Sequence, residues 1–381
     1  MGQVARENYG HVRDVRKDFE CGRKRSWASR SHLGYLTSTP HYKITALQNS
    51  SKSSADAAAK EYSLNDVATH DNPKSIAADP NVDIVAVSVN VPQHYDLIRP
   101  ALEAGKDVFS EWPLARNAAE VEELVQLAKS KAVRTLVGLQ ARQNPSIIKA
   151  KEIVDSGVLG KVLGTTMYGH GMIFGPTVHE GFLYALPVEA GANLVTIPFG
   201  HAVDALCFVL GEIKDISATL ANHRPELDLL NNEGKPVRKV TKTAHDYVSI
   251  TALLVNGGGV VDVTYAPALS RTNRDFVWEI NGTKGSLLLE GGKMGGHVQM
   301  YQPTVKLAVE KDAKVQLYGE QSAGKEELEE VKVEKAGDMS FNVGKAWDAW
   351  AGVGDTFVVK HLTDIAETLL QANFGASVSS A

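Results

Sequence analysis

Between residues 42 and 142, short runs of β-branched and apolar residues alternate with stretches of helical periodicity. That rhythm is the signature of parallel strands joined by crossover helices. Strands are expected at residues 43–47, 83–89, 107–110 and 134–139, with helices at 53–62, 94–104 and 117–131. The run Ile84-Val85-Ala86-Val87 has no polar alternation, as befits a strand covered by helices on both faces. After a helix at 145–156 the pattern changes to longer alternating strands at 162–168, 216–221, 247–255, 260–265 and 276–280. Turn sequences such as Asn256-Gly257-Gly258-Gly259 separate them. The expected architecture is an α/β Rossmann-type dinucleotide-binding domain over residues 1–145. An α+β substrate and dimerisation domain with a large open, mostly antiparallel sheet follows over 146–381. A chain of 381 residues has room for both. Polar segments 224–242 and 310–337 read as surface excursions.

The start of the first domain is anomalous. A Rossmann domain opens on an apolar strand running into Gly-x-Gly-x-x-Gly, whose glycines let the backbone approach a pyrophosphate at a helix N-terminus. This chain lacks the motif; its candidate turn is Gly22 followed by Arg23-Lys24-Arg25-Ser26-Trp27-Ala28, with a helix through His32 and Leu36. Upstream, Arg13, Asp14, Arg16, Lys17, Asp18 and Glu20 crowd the stretch where the strand belongs. Burying unpaired ions costs several kcal/mol each. The first strand is therefore expected to be atypical or missing, with residues 1–21 outside the ordinary fold.

Composition excludes several classes. Forty basic against forty-five acidic residues give a formal charge of −5, and no basic stripe interleaves with aromatics, so direct nucleic-acid binding is not expected. No apolar run reaches the ~18–20 residues that span a bilayer, and the basic N-terminal stretch has no apolar core like that of a signal peptide. The two cysteines are too few for a disulfide framework. Scattered histidines form no metal-ligand spacing, so no metal is expected. Cytoplasm is the default location.

Several spaced motifs occur in one order: Ser26-Trp27-Ala28 after Gly22, the strand and turn through His94, Glu111-Trp112-Pro113, Leu139-Gln140-Ala141-Arg142 with Pro145, and Gly191-Ala192-Asn193 running into Phe199-Gly200-His201-Ala202-Val203-Asp204. Together with Asn281-Gly282-Thr283-Lys284-Gly285, they resemble the Gfo/Idh/MocA oxidoreductase family, and within it the fungal Gal80-like subgroup, from about residue 26 onward. In that family the turn after the strand reads Glu-Lys-Pro, and the lysine carries hydride-transfer chemistry. Here Trp112 stands at the lysine position and Ile197 at an aspartate position.

The resemblance implies a set of roles. Trp112 cannot exchange a proton in the physiological range, so it would form an apolar or stacking wall near a nicotinamide, or simply fill the space vacated by lysine. Glu111 would be structural or substrate-orienting. His201 and Asp204 lie three apart on one helical face, where the carboxylate could orient the imidazole as proton donor or substrate ligand; a lone helical histidine is otherwise a core residue. Tyr168, His170, His179 and Tyr184 fall in the pocket-building segment, with Tyr168 an alternative donor. For the cofactor, Gly22, Ser26 and Trp27 mark the first turn. Asn49, Ser50 and Lys52 follow the next strand without the acid that selects NAD, favouring NADP over NAD. Asn90, Pro92 and His94 would border pyrophosphate and nicotinamide, with a helix-start role the equal alternative for His94. Glu111, Gln140 and Arg142 would contact cofactor or substrate.

Three functions compete. One is an NAD(P)-dependent oxidoreductase acting on a carbonyl, hydroxyl or imine of a small polar or secondary-metabolite substrate. A second is a non-catalytic Gal80-like regulator that senses a dinucleotide or sugar and holds a transcriptional activator. The third is a non-redox isomerase or cyclase. Base rate for the architecture favours the first, and a homodimer is expected through the open sheet.

Overall fold

The computed structural model describes residues 9–12, 26–172, 175–309 and 327–353, with side chains for all but the first four. Six parallel strands form one sheet: β1 (Tyr9–Val12), β2 (Ile44–Gln48), β3 (Ala68–His70), β4 (Ile84–Val87), β5 (Asp107–Glu111) and β6 (Thr135–Gly138). Their order, β3-β2-β1-β4-β5-β6, reverses direction between β1 and β4, the switch point at which doubly wound sheets bind ligands. The first strand is therefore atypical rather than missing. It is four residues long, begins upstream of the charged stretch, and lies in the middle of the sheet, with His11 in register with Leu47 on one side and Ala86 on the other.

Helices α1 (Trp27–Ser31), α2 (Leu33–Ser38), α3 (Lys52–Glu61), α4 (Pro73–Ala77), α5 (His94–Glu103) and α6 (Ala118–Lys131) connect these strands. Local chemistry sets their starts. Ser51 and Asn117 cap α3 and α6 by accepting main-chain N–H bonds from Ser54 and Glu120. Val85, Val87, Val108 and Val137 pack on Ile98, Leu102 and Leu124, all within 2 % of full burial. A second core holds Phe109, Ile84 and Leu136 against Tyr42, Val343, Trp347 and Trp350.

Beyond α7 (Pro145–Asp155) comes the second sheet, which contains β7 (Val162–Gly171). Strand β8 (Thr177–His179), helix α8 (Gly200–Leu210), then β9 (Ile213–Ala221), β10 (Glu226–Leu230), β11 (Pro236–Thr241), β12 (Tyr247–Leu254), β13 (Val260–Pro267), β14 (Phe276–Gly282), β15 (Gly285–Gly291), β16 (Thr304–Val309) and β17 (Glu329–Glu330) follow. Eight of these strands make a mixed sheet in the order β17-β16-β15-β14-β7-β13-β12-β9, antiparallel at every pairing except β13 with β7. One face packs on α7 and α8 through Met167, Val263, Trp278 and Leu206.

Segment 224–242 is more than a surface excursion. Strands β10 and β11 pair as a hairpin, β8 joins them, and Leu227, Leu229, Val240, Val178 and Leu186 form a small core of their own. Helix α9 (Phe341–Trp350) returns from the far end of the chain to pack under the nucleotide sheet, so that unit includes residues distant in sequence. Among the described residues no helix is long and apolar enough to cross a membrane.

Candidate functional site

Because the first sheet is parallel, the C-terminal ends of β2, β4, β5 and β6 share one edge. Gln48 and Asn49 end β2, Ser88 and Asn90 follow β4, Glu111 and Trp112 end β5, and Gln140 opens the short turn after β6. Buried polar atoms cluster along this edge. Gln48 Oε1, Asn49 Oδ1, Ser88 Oγ and Gln140 Oε1 have no hydrogen-bond partner among the described residues. Such atoms are uncommon in folded interiors and call for an explanation.

The turn at the tip of β5 is held from several directions. Trp112 precedes a cis Pro113, and its indole N–H donates to the Thr196 carbonyl at 2.6 Å. That carbonyl belongs to a π-helical turn, Val195–Phe199, which contains Pro198 and runs directly into α8. Proline has no N–H for a helical ladder, and π-turns recur at functional positions. Asn193 supports the turn, its Oδ1 accepting the Val195 and Thr196 amides at 2.9 and 3.3 Å.

Two glycines let the second domain approach this turn. A Cβ on Gly200 would lie 2.9 Å from Trp112 Nε1, and one on Gly191 would lie 2.4 Å from the Arg116 carbonyl oxygen. Glu111 is buried, and its Oε2 sits 2.7 Å from where a Cβ on Gly138 would be.

His201 is 4 % exposed and lies edge-on to Trp112, ring centroids 6.5 Å apart. Burial, reinforced by the nearby His297, pushes its pKa down to about 3, so the imidazole is neutral at physiological pH. Its Nδ1 has no partner among the described residues. Asp204 does not orient it. Instead Asp204 receives both arms of Arg142, Nε and Nη2 each at 2.8 Å, in a bidentate, mostly buried pair. The sequence spacing placed His201 and Asp204 on one face, but a guanidinium from the turn after β6 outcompetes a neutral ring for the carboxylate. Two nitrogens of the Arg142 guanidinium, Nε and Nη2, are thereby committed to Asp204.

Tyr168 is not brought to this site. Its neighbour Met167 points into the core shared with α8, so Tyr168, one residue out of phase, is on the opposite face of the sheet. Its hydroxyl is 2.5 Å from Nε2 of His170, whose Nδ1 faces the Pro267 carbonyl.

His94 is the first residue of α5, the helix-start place that was one of its two expected roles. Its ring is fully buried, with Nδ1 2.8 Å from the Pro113 carbonyl and Nε2 3.0 Å from that of Val89, and the neutral ring donates to one of the two. Burial lowers its pKa. Asn90 and Pro92 sit half-buried beside it in the turn after β4. Ser26 caps α1 and Trp27 packs in the aromatic core beneath β5. Gly22 lies outside the described residues.

After β2, Asn49 is buried and donates through Nδ2 to the Ser54 carbonyl at 2.9 Å, while Ser50 is exposed. Lys52 donates to the Thr69 carbonyl at 3.1 Å and its hydroxyl at 2.6 Å, yet stays 63 % exposed at the start of α3. Sequence reasoning missed His32, Ser88, His297 and Trp347. His297, 3 % exposed and with a pKa pushed down to about 4 by burial, accepts the Met172 amide through Nε2 at 3.3 Å. Nothing local in the sequence marks it, whereas the i,i+3 spacing of Trp347 and Trp350 is a signal that could have found the buried face of their helix.

Residues 22–139 match the model of the oxidoreductase family with an NAD-binding Rossmann fold, and residues 145–291 match the Gal80p C-terminal domain. The chain is 37% identical to the dehydrogenase aclE of Aspergillus oryzae over 69% of its own length and 72% of that protein's. With the galactose/lactose metabolism regulatory protein GAL80 of Kluyveromyces lactis it shares 29% identity over 70% of this chain, spanning 61% of the regulator's length. Among solved structures, a super-repressor mutant of Gal80p from Saccharomyces cerevisiae superposes with a TM-score of 0.77 at 24% identity, over 91% of this chain and 84% of that one. Levoglucosan dehydrogenase in complex with NADH and levoglucosan gives 0.75 at 18%, over 96% and 95%. The chain belongs to the Gfo/Idh/MocA oxidoreductase family, in its Gal80-like subgroup.

Proposed function

We propose that this protein is a nicotinamide-dinucleotide-dependent oxidoreductase acting on a carbonyl, hydroxyl or imine of a small polar or secondary-metabolite substrate. The observation that carries the reading is the row of buried polar atoms at the strand tips without a hydrogen-bond partner among the described residues, Asn49 Oδ1, Ser88 Oγ and Gln140 Oε1, with His201 Nδ1 on the facing helix. Leaving such atoms unpaired costs about 1–3 kcal/mol each. Their placement on the ligand-binding edge of a doubly wound sheet suits a dinucleotide with many donors and acceptors. When bound, that group supplies the hydride chemistry. The chain's own part is orientation: Trp112 walls the crevice, and His201, neutral, exchanges a proton or hydrogen-bonds substrate through Nδ1.

NADP is the preferred form in this reading. The β2 tip carries no carboxylate to engage a ribose diol, and Ser50, Ser51 and Lys52 stand at the start of the ten-residue α3, where a 2′-phosphate is favoured. Lys52→Ala is expected to weaken NADP binding while sparing NAD. Calorimetry with both dinucleotides, oxidised and reduced, tests the core claim; no heat with any of the four ends it. Turnover that survives Trp112→Phe and disappears in His201→Ala assigns the proton donor.

A regulatory reading has its own support. Trp112 stands at the lysine position with its only polar hydrogen spent on Thr196, and Asp204 is neutralised by Arg142. In that case the protein senses a dinucleotide or sugar and binds a transcriptional activator. Dinucleotide binding without turnover across sugars, aldehydes and imines would select it. In either reading we propose a homodimer interface on the outer face of the eight-stranded sheet, where Tyr168, Thr264 and Ser249 line up in register. Sedimentation at micromolar concentration checks this.

A further inference from the structure

The turn Glu111-Trp112-Pro113 rests on a buried chain of polar groups that the proposed chemistry does not use. His32, in the bend between α1 and α2, is completely buried. Its Nδ1 receives the indole N–H of Trp347 at 3.1 Å, and its Nε2 lies 2.5 Å from Glu111 Oε1. An indole nitrogen can only donate. Nδ1 must therefore carry the lone pair and Nε2 the proton, so His32 donates to the Glu111 carboxylate. Trp347 is itself fixed: its ring stacks on Phe109 at 4.6 Å and 18°, and its carbonyl accepts from the Tyr42 hydroxyl at 2.7 Å. Gly138 closes the far side of the carboxylate.

We propose that His32 is a positioning residue: its Nε2–H, set by Trp347 from the far end of the chain, holds Glu111 and hence the turn that presents Trp112 to the crevice. The geometric claim stands on the free protein; only its effect on dinucleotide affinity rests on the proposed function.

Fluorine NMR of the full chain labelled with 5-fluorotryptophan tests it. The five tryptophans are few enough to assign Trp112 and Trp347 from their phenylalanine variants. His32→Leu should shift the Trp112 resonance and weaken dinucleotide binding by about tenfold or more, the loss of one hydrogen bond to a charged group. His32→Gln, which can keep an N–H near the Nε2 position, should leave affinity within about threefold and the Trp112 signal in place. An unmoved Trp112 resonance in folded His32→Leu, or equal damage from both variants, overturns the proposal. Should His32→Leu not fold, nitrogen NMR of labelled histidine decides: the wild-type chain must show the Nε2–H tautomer of His32, and Trp347→Phe must lose that preference. The Nδ1–H tautomer in the wild type refutes the arrangement. A wild-type chain that binds no dinucleotide defeats the proposed function while leaving both NMR tests in force.

Discussion

Trp112 is large, half-buried and hydrogen-bonded across the junction of the two domains. Its replacement by phenylalanine keeps a ring but leaves the Thr196 carbonyl without that donor. The expected cost is roughly 1–2 kcal/mol, seen as a lower urea midpoint at unchanged slope. Gly200→Ala acts on the same contact from the other side. Its methyl would meet Nε1 at 2.9 Å and Cζ2 at 3.0 Å, and neither atom is on a flexible chain end. Overpacking of this kind costs about 1–3 kcal/mol. Should the two substitutions, measured alone and together, prove strictly additive, the contact between these residues would not be the cause.

At the level of elements, β1 decides whether the nucleotide sheet is continuous. Four residues fill the central position, so deleting residues 1–12 exposes the edges of β2 and β4 at the crevice. Hydrogen exchange in Ile84–Val87 should then accelerate, while Val260–Pro267 in the other sheet keeps its protection. Equal protection of Ile84–Val87 in the deleted chain would show that β1 contributes little. The base of the β10–β11 hairpin depends on a buried pair. Lys242 Nζ lies 3.3 Å from Asp246 Oδ2, side chains 2 % and 0 % exposed, and Asp246 also accepts the His223 and Arg224 amides. Lys242→Met strands that carboxylate, and about 3–5 kcal/mol of stability should go with it, measured by chemical denaturation.

Across the whole molecule, buried histidines make stability depend on acid. His94 lies in the nucleotide unit, His201 and His297 in the second, and burial lowers the pKa of all three. The unfolded chain binds these protons near pH 6.5 and the folded chain does not. Their contribution is therefore complete above about pH 6.5 and declines as pH falls toward the folded values of about 3 for His201 and about 4 for His297. Each adds a slope of up to roughly 1.4 kcal/mol per pH unit in that window. Denaturation of the wild type and His297→Gln between pH 7 and 5, taken as a difference, should show the variant losing less on acidification. Parallel curves would mean that His297 is already protonated in the folded chain.

Much of this was legible from the amino acids alone, because periodicity and turn chemistry are local properties. The strands and helices expected between residues 43 and 156 fall within two residues of the observed bounds, as in Asp107–Glu111 and His94–Glu103, whereas the short β3 and α4 between them carried no periodic signal and were not expected. Motif order identified the family. What the chain could not disclose locally was which side chains compete for the same partner. Asp204 is three residues from His201, yet a guanidinium from another element holds it with two charge-assisted bonds. Tyr168 has the right chemistry on the wrong face, a matter of strand phase relative to α8. The four residues of β1 are too few to stand out as a strand; their pairing partners, 35 or more residues away, define them. Local sequence thus determined most of the longer elements and their order. Long-range packing alone decided the partners, since burial makes each hydrogen bond exclusive and only the assembled fold determines which groups meet.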